Sequence, residues 1–473
     1  MTTLLKWADD VRSIRVEATI DPAGRAEGLN SNGSTGSTGS SSRHVSDLIQ
    51  QAQVLGTEGF GCLVTDNLFE QDPSREIVTL LRCALLLHND KRQQSTFLAR
   101  LIALHRKQMS VILCAAQEQR MSIKLLDRPL TDFIQELSGN DIALIAQYMH
   151  ISPPEVRLLI RNALVTRTYL GCRGCRVATL HSEIMSMQAA AILFATLDNI
   201  EKGMDLRPTL LVPNVTCSKE LETAINVIQR AALQVVSDYK QHSSVLQYIS
   251  QFYSIGVLIG APRACLRADT IAALPAVSTI AFNVEELTAQ VFACSREEAR
   301  TCFPHYISSK VYAADPFRSL DDRAVGKLMK TAIVRANAVR AGTSVDGRNI
   351  SSNNISNDEG DARNARSRSR SNSGSLASKV GDYDIEVPID MVEPIHWAVV
   401  QGEHTADYRS INLFLEMGID SVSCLPHQVP LVKLGAAQAT MHTYIKAKRQ
   451  NKKGQKSPQR SRSNSGGGIS NYA

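Results

Sequence analysis

The sequence predicts an α/β protein made of a single (β/α)8 barrel, interrupted by a helical insertion and by low-complexity segments. Three observations carry this. Short apolar runs of strand length recur eight times, with amphipathic helical stretches between them, the pattern of a parallel sheet and, at eight strands, of a closed barrel. The apolar fraction is 43% while aromatics make up only 5%; the rest is mostly Ala, Leu, Ile and Val, which suits parallel strands buried on both faces. A chain of 473 residues could hold several average domains, yet one barrel with insertions also reaches this size.

In chain order the strands are expected at 14–20, 59–64, 122–126, 175–180, 209–213, 254–259, 278–282 and 395–400. The stretches 75–87, 183–197, 219–236 and 323–341 between them carry helical periodicity. The span 127–170 reads as an inserted helical subdomain, with helices near 130–137, 140–149 and 153–164. On this reading residues 1–342 hold the first seven strands, and 383–445 hold the eighth with its closing helices. Residues 30–42, 343–382 and 446–473 are Ser/Gly/Asn-rich or Arg/Ser-rich and too polar to offset the entropy of ordering, so they are expected to be disordered. One heptapeptide, Arg-Ser-Arg-Ser-Asn-Ser-Gly, occurs at 368–374 and again at 460–466.

Charge is unevenly placed. No acidic residue follows Asp420, and eight Lys and Arg side chains crowd residues 446–473. Those eight exceed the net +6 of the whole chain, so the remainder is slightly acidic. The ten cysteines show no framework spacing and the first ten residues no signal-peptide pattern, so reduced thiols in an intracellular, cytoplasmic setting are expected. The Asn471-Tyr472-Ala473 end is not a peroxisomal address. No apolar run reaches the roughly 18–20 residues that span a bilayer, and no membrane partner is expected.

Several strings are more specific. Gly171-Cys172-Arg173-Gly174-Cys175-Arg176 runs into Glu183-Ile184-Met185-Ser186-Met187-Gln188-Ala189. Before it stands Leu125-Leu126-Asp127-Arg128-Pro129-Leu130, and after it Asp315-Pro316-Phe317-Arg318-Ser319-Leu320-Asp321. Gly402-Glu403-His404 precedes Gly418-Ile419-Asp420-Ser421-Val422-Ser423-Cys424-Leu425-Pro426 and Ala436-Ala437-Gln438-Ala439. In this order, from Trp7 to about Ile445, the strings resemble the C-terminal, phosphoenolpyruvate-binding barrel of pyruvate phosphate dikinase. That family groups with phosphoenolpyruvate synthase and enzyme I of the sugar phosphotransferase system. The resemblance includes neither the ATP-binding nor the phosphohistidine domain of those enzymes.

The resemblance implies phosphoryl transfer between a phosphohistidine and pyruvate enolate. Arginines and a Mg²⁺ ion would hold the moving charge and a thiol would protonate the enolate carbon, all at the carboxyl ends of strands. The matching positions have changed. The phosphate-binding arginine after the second strand is Val64, before Thr65-Asp66-Asn67, and that of the third strand is Lys124, which keeps charge but loses the bidentate fork. Arg173 is retained. The metal-binding glutamate expected at the end of the sixth strand, before Pro262-Arg263, is Gly260. The aspartate ligand corresponds to Glu286, and a substrate-contacting asparagine to Glu285. At the proton-donor cysteine, before Gly402-Glu403-His404, stands Gln401, whose amide is no general acid.

Arg173, Lys124 and Glu285 are therefore the candidate substrate-binding remnants and Glu286 the candidate metal remnant, with no catalytic residue intact. No cofactor is expected, and Mg²⁺ only if activity remains. Set beside these are plainer readings. Cys172 and Cys175 have CxxC spacing without a second pair and read as structural thiols. Glu403 and His404 read as scaffold of the eighth loop, and Glu285 with Glu286 either as a carboxylate pair or as solvated charges at the barrel mouth. Two functions are expected to compete. One is a pseudoenzyme acting as a binding or scaffold subunit, as a homodimer or as a heteromer with an intact dikinase. The other is a phosphotransferase of phosphoenolpyruvate/pyruvate interconversion served by a separate phosphohistidine domain. The Arg/Ser repeats would meet nucleic acid or acidic proteins, or serve only as solubilising linkers.

Overall fold

The structure is a computed structural model that describes residues 2–22, 41–70, 72, 74–164, 171–240, 252–342, 376–380, 383–387 and 394–454. Its centre is a closed barrel of eight parallel strands. These are β1 (Arg15–Ile20), β2 (Phe60–Val64), β3 (Met121–Lys124), β4 (Thr209–Pro213), β5 (Ser254–Ile259), β6 (Val277–Phe282), β9 (His396–Val399) and β10 (Ser421–Cys424), hydrogen-bonded in the order β1-β10-β9-β6-β5-β4-β3-β2. Outside it, β7 (Leu376–Val380) and β8 (Tyr383–Val387) pair antiparallel. The (β/α)8 architecture is thus the one the sequence predicts. No helix among the described residues is long and apolar enough to cross a membrane.

Two strand assignments need correction, and they cancel in the count. Residues Cys175–Leu180 are a helix, entered through Gly174 at φ +55°. The slot between β3 and β5 belongs instead to Thr209–Pro213. Conversely Ser421–Cys424 is the closing strand, hidden in the sequence because two of its four residues are serines that face into the barrel. There Ser423 Oγ lies 2.7 Å from Thr19 Oγ1, and Ser421 Oγ donates to Glu17 Oε2 at 3.3 Å. Residues 1–342 therefore hold six barrel strands and two follow position 383. Gly260 ends the fifth strand, not the sixth, and Glu403 and His404 follow the seventh barrel strand, not the eighth.

Alternation along the strands sends one set of side chains outward to the helices and the other inward. The outward set, such as Val16, Leu63, Ile123 and Val212, joins the main hydrophobic core. Inside, Cys62, Val64, Leu211, Leu258, Ala281, Ala398 and Val400 form a separate buried cluster. Gly61 is required by packing: a Cβ there would lie 2.7 Å from both Glu17 Oε2 and Ser423 Cβ.

Between β3 and β4 lie the helices Gly139–Met149 and Pro153–Ala163, opened by Ser138/Asp141 and Ser152/Glu155 capping boxes. Asp141 also receives Arg82 Nη1 at 2.8 Å, which ties this region to the barrel's outer helices. The segments read as disordered from composition lie mostly outside the described residues. Where they are described, residues 41–42 open the helix Ser41–Val54, Leu376–Val380 is paired, and 446–454 continue the helix Val429–Gly454. That last extension is rich in Lys, Arg, Ala and Gln, all good helix formers.

Candidate functional site

Every strand contributes its carboxyl end to one mouth, and the parallel register decides which residues meet there. Val64 pairs with Lys124, and Lys124 with Leu211. Lys124 thus emerges beside Val64, with the short helical turn Asp66–Leu68 standing over it. Lys124 is 6% exposed, and its ammonium lies 2.8 Å from Asp66 Oδ2 and 3.7 Å from Asp127 Oδ2. Asp66 is fixed from the other side by the backbone N–H groups of Asp127 and Arg128, which donate to Oδ1 at 2.6 and 2.8 Å.

Arg173 enters from the turn before the helix Cys175–Leu180. Gly174 must be glycine there, since a Cβ would lie 2.6 Å from the Pro213 carbonyl oxygen and 2.9 Å from Asp127 Oδ1. The guanidinium donates to Asp127 through Nε at 3.1 Å and Nη2 at 2.8 Å. Its Nη2 also lies 3.0 Å from Glu286 Oε1. Glu286 sits in the first turn of the helix Val284–Phe292, whose cap is Asn283. Asn283 Oδ1 accepts from the Glu286 N–H at 3.1 Å, and its Nδ2 donates to Gln401 Oε1 at 3.0 Å.

These contacts link Asp66, Lys124, Asp127, Arg173, Glu286, Asn283 and Gln401 into one chain of alternating charge and dipole. Burial alone would lower the Lys124 ammonium, but Asp66 and Asp127 outweigh it and hold it above the ordinary lysine value. Burial would likewise raise Asp66, and Lys124 with the two backbone donors holds it below the usual carboxylate range. Glu286 goes the other way: burial and the nearby Asp127 charge raise it despite Arg173. Asp127 is thus the principal partner of Arg173 and Glu286 the weaker one.

Of the residues singled out from sequence, the structure brings Lys124, Arg173 and Glu286 together. Val64 lies beneath them in the apolar interior cluster, 4% exposed. Gly260 leaves space that Glu286 fills: a Cβ at 260 would lie 2.9 Å from Glu286 Oε2 and 3.0 Å from its Cδ and Cγ. Gln401 stands in the left-handed region at φ +63°. Glu285 is not paired with Glu286. It faces the rim, 3.9 Å from Arg296 Nε, and burial raises its carboxyl. Glu403 binds Arg296 there and lies 3.4 Å from Arg318 Nε. His404 is fully buried and donates from Nε2 to the Pro316 carbonyl at 2.7 Å. Cys172 and Cys175 are free thiols. Sequence reasoning missed Asp66, Asp127 and Asn283. Asp127 lay in plain view within the Leu125–Leu130 string, but its principal partner, Arg173, comes from the distant turn before the helix Cys175–Leu180.

Residues 44–351 match the family model described as "PEP-utilising enzyme, PEP-binding domain". The chain is 26% identical over 438 residues to pyruvate, phosphate dikinase 2 of Oryza sativa subsp. japonica, covering 92% of this chain and 39% of that protein. It is 29% identical over 392 residues to the pyruvate, phosphate dikinase of Rhizobium meliloti, covering 83% and 36%, and 26% identical over 440 residues to that of Clostridium symbiosum, covering 93% and 40%. It thus spans about two fifths of the length of these relatives. With its closed barrel and the matched residues together, the chain belongs to the PEP-utilising enzyme family and represents the C-terminal PEP-binding domain found in pyruvate, phosphate dikinases.

Proposed function

We propose that this chain is a non-catalytic member of its family, a barrel that serves as a binding or scaffold subunit. The observation that carries the reading is the state of its two mouth cations. Lys124 lies against Asp66 and Asp127, and Arg173 against Asp127 and Glu286. Three carboxylates on two cations leave no net positive charge to receive a phosphate or a carboxylate, and the arginine that would add one is Val64. A divalent cation does not fit either. Gly260 offers no ligand, Glu286 packs over it, and the Glu286 carboxylate faces Arg173. Mg²⁺ requires near-octahedral oxygen donors at about 2.1 Å, which one committed carboxylate does not provide. The group at the proton-donor position is an amide, Gln401, engaged by Asn283.

The remaining role is association, and the preserved barrel would carry it with a second copy or with an intact dikinase. The test is hydrogen–deuterium exchange at the pyruvate methyl group in D₂O with Mg²⁺, followed by proton NMR. The protein is expected to leave the exchange at its buffer rate. Acceleration that Arg173→Ala abolishes would overturn the proposal in favour of a working phosphotransferase-type site.

A further inference from the structure

The C-terminal helix runs beyond the barrel. Its last fully buried residue is Ala439, and the neighbouring Thr440 Oγ1 accepts from the Ser13 N–H at 3.3 Å. The helix is described to Gly454, a further length of about 20 Å at 1.5 Å per residue. On this projection Met441, Tyr444 and Ile445, at i, i+3 and i+4, are 52%, 65% and 44% exposed. Scattered exposed apolar residues are ordinary, but three gathered on one helix face past its last buried residue are not. The helix Thr2–Val11 packs beside the earlier part of this helix, where Lys433 Nζ donates to Asp9 Oδ2 at 3.1 Å, and exposes a stripe of its own there: Leu4, Trp7 and Val11 at 50%, 64% and 40%.

Charge says what kind of surface would cover this. From Ser421 to the end the chain has no Asp or Glu, and Lys446, Lys448, Arg449, Lys452 and Lys453 lie on the same projecting helix. Lys448 Nζ stands 5.6 Å from the Tyr444 ring centre, so cation and aromatic already share one face. A nucleic acid would satisfy the charges and leave Met441 and Ile445 in water. A peptide partner would call for a groove, and a single projecting helix offers none. A lipid surface accepts both components: headgroup phosphates meet the lysines, while Trp and Tyr rings and short aliphatics settle at the headgroup boundary. The expectation of no membrane partner rested on spanning length alone, which does not bear on a helix lying at the surface.

We infer that the projecting end of the helix Val429–Gly454 is a peripheral docking element for anionic lipid bilayers. The test is co-sedimentation of the full chain with phosphatidylcholine vesicles and with vesicles containing about one third phosphatidylserine. The protein is expected to sediment with the anionic vesicles only, and to be released by raised salt. Tyr444→Glu with Ile445→Glu should weaken the partition by more than about tenfold, with an unchanged urea unfolding curve. Failure to sediment with anionic vesicles would overturn the inference, as would sedimentation that the double substitution leaves unchanged. So would retention on DNA unaffected by that substitution in a protein that ignores vesicles, which would make the helix a polyanion binder.

Discussion

Asp127 is the carboxylate shared by both cations of the mouth, and replacing it by asparagine tests the charge chain at its centre. Asp127→Asn keeps the volume and one acceptor oxygen. It removes the charge that lies 2.8 Å from Arg173 Nη2 and 3.7 Å from Lys124 Nζ, and turns an NH₂ group toward one of them. Breaking a buried ion pair on one side costs about 3–5 kcal/mol. The one bond that Asn can still accept, and the partial exposure of Arg173, reduce this to about 2–4 kcal/mol. The same change still leaves Lys124 and Arg173 against two carboxylates, Asp66 and Glu286, with no net positive charge, so an added anion should bind the variant no better than the wild type. The assay is equilibrium urea unfolding of both proteins with and without phosphate at constant ionic strength. The variant should lose stability, and phosphate should leave both proteins unmoved. A loss below about 1 kcal/mol, or equal stabilisation of both proteins by phosphate, would refute the charge-chain account.

Two further predictions concern Glu286. Gly260→Glu alone should destabilise by about 2–3 kcal/mol, because its Cβ meets Glu286 and its carboxylate adds a like charge. Adding Glu286→Asp, one methylene shorter, should recover at least about 1 kcal/mol by the same unfolding assay, and an additive second loss would contradict the packing argument. Since burial and Asp127 raise the Glu286 carboxyl, its ionisation opposes folding: its contribution is most favourable at acid pH and is lost as pH rises through the raised value. Glu286→Gln should therefore be more stable than the wild type at pH 7 and lose that advantage toward pH 4. A variant less stable at pH 7 would show that the Arg173 pairing dominates instead.

Strands such as Thr209–Pro213 and Ser254–Ile259 are legible because both faces are apolar in a parallel barrel. Ser421–Cys424 is not, because its inward face is served by hydrogen bonds to Glu17 and Thr19 instead of packing. Cys175–Leu180 misleads because a six-residue run with four apolar residues fits either period, and the positive φ of Gly174 that starts the helix is a tertiary fact. At the mouth, the losses at Val64, Gly260 and Gln401 are visible from unbroken flanking strings. What replaced them is not. Asp66 meets Lys124 only through strand register, Asp127 reaches it only by the turn that follows the strand, and the filling of the space beside Gly260 depends on where the Glu286 side chain points. Consecutive helix positions diverge by about 100°, so the separation of Glu285 from Glu286 was readable in principle from the short helix they begin.

The central claim is that the mouth of this barrel holds its cations against its own carboxylates and takes neither Mg²⁺ nor the anion of a phosphoenolpyruvate-type ligand. It is tested most directly by calorimetric titration of the unmodified protein with oxalate, an enolate mimic, in the presence of Mg²⁺. The account predicts no saturable heat beyond dilution. A saturable isotherm that requires Mg²⁺ and disappears in Arg173→Ala would contradict it.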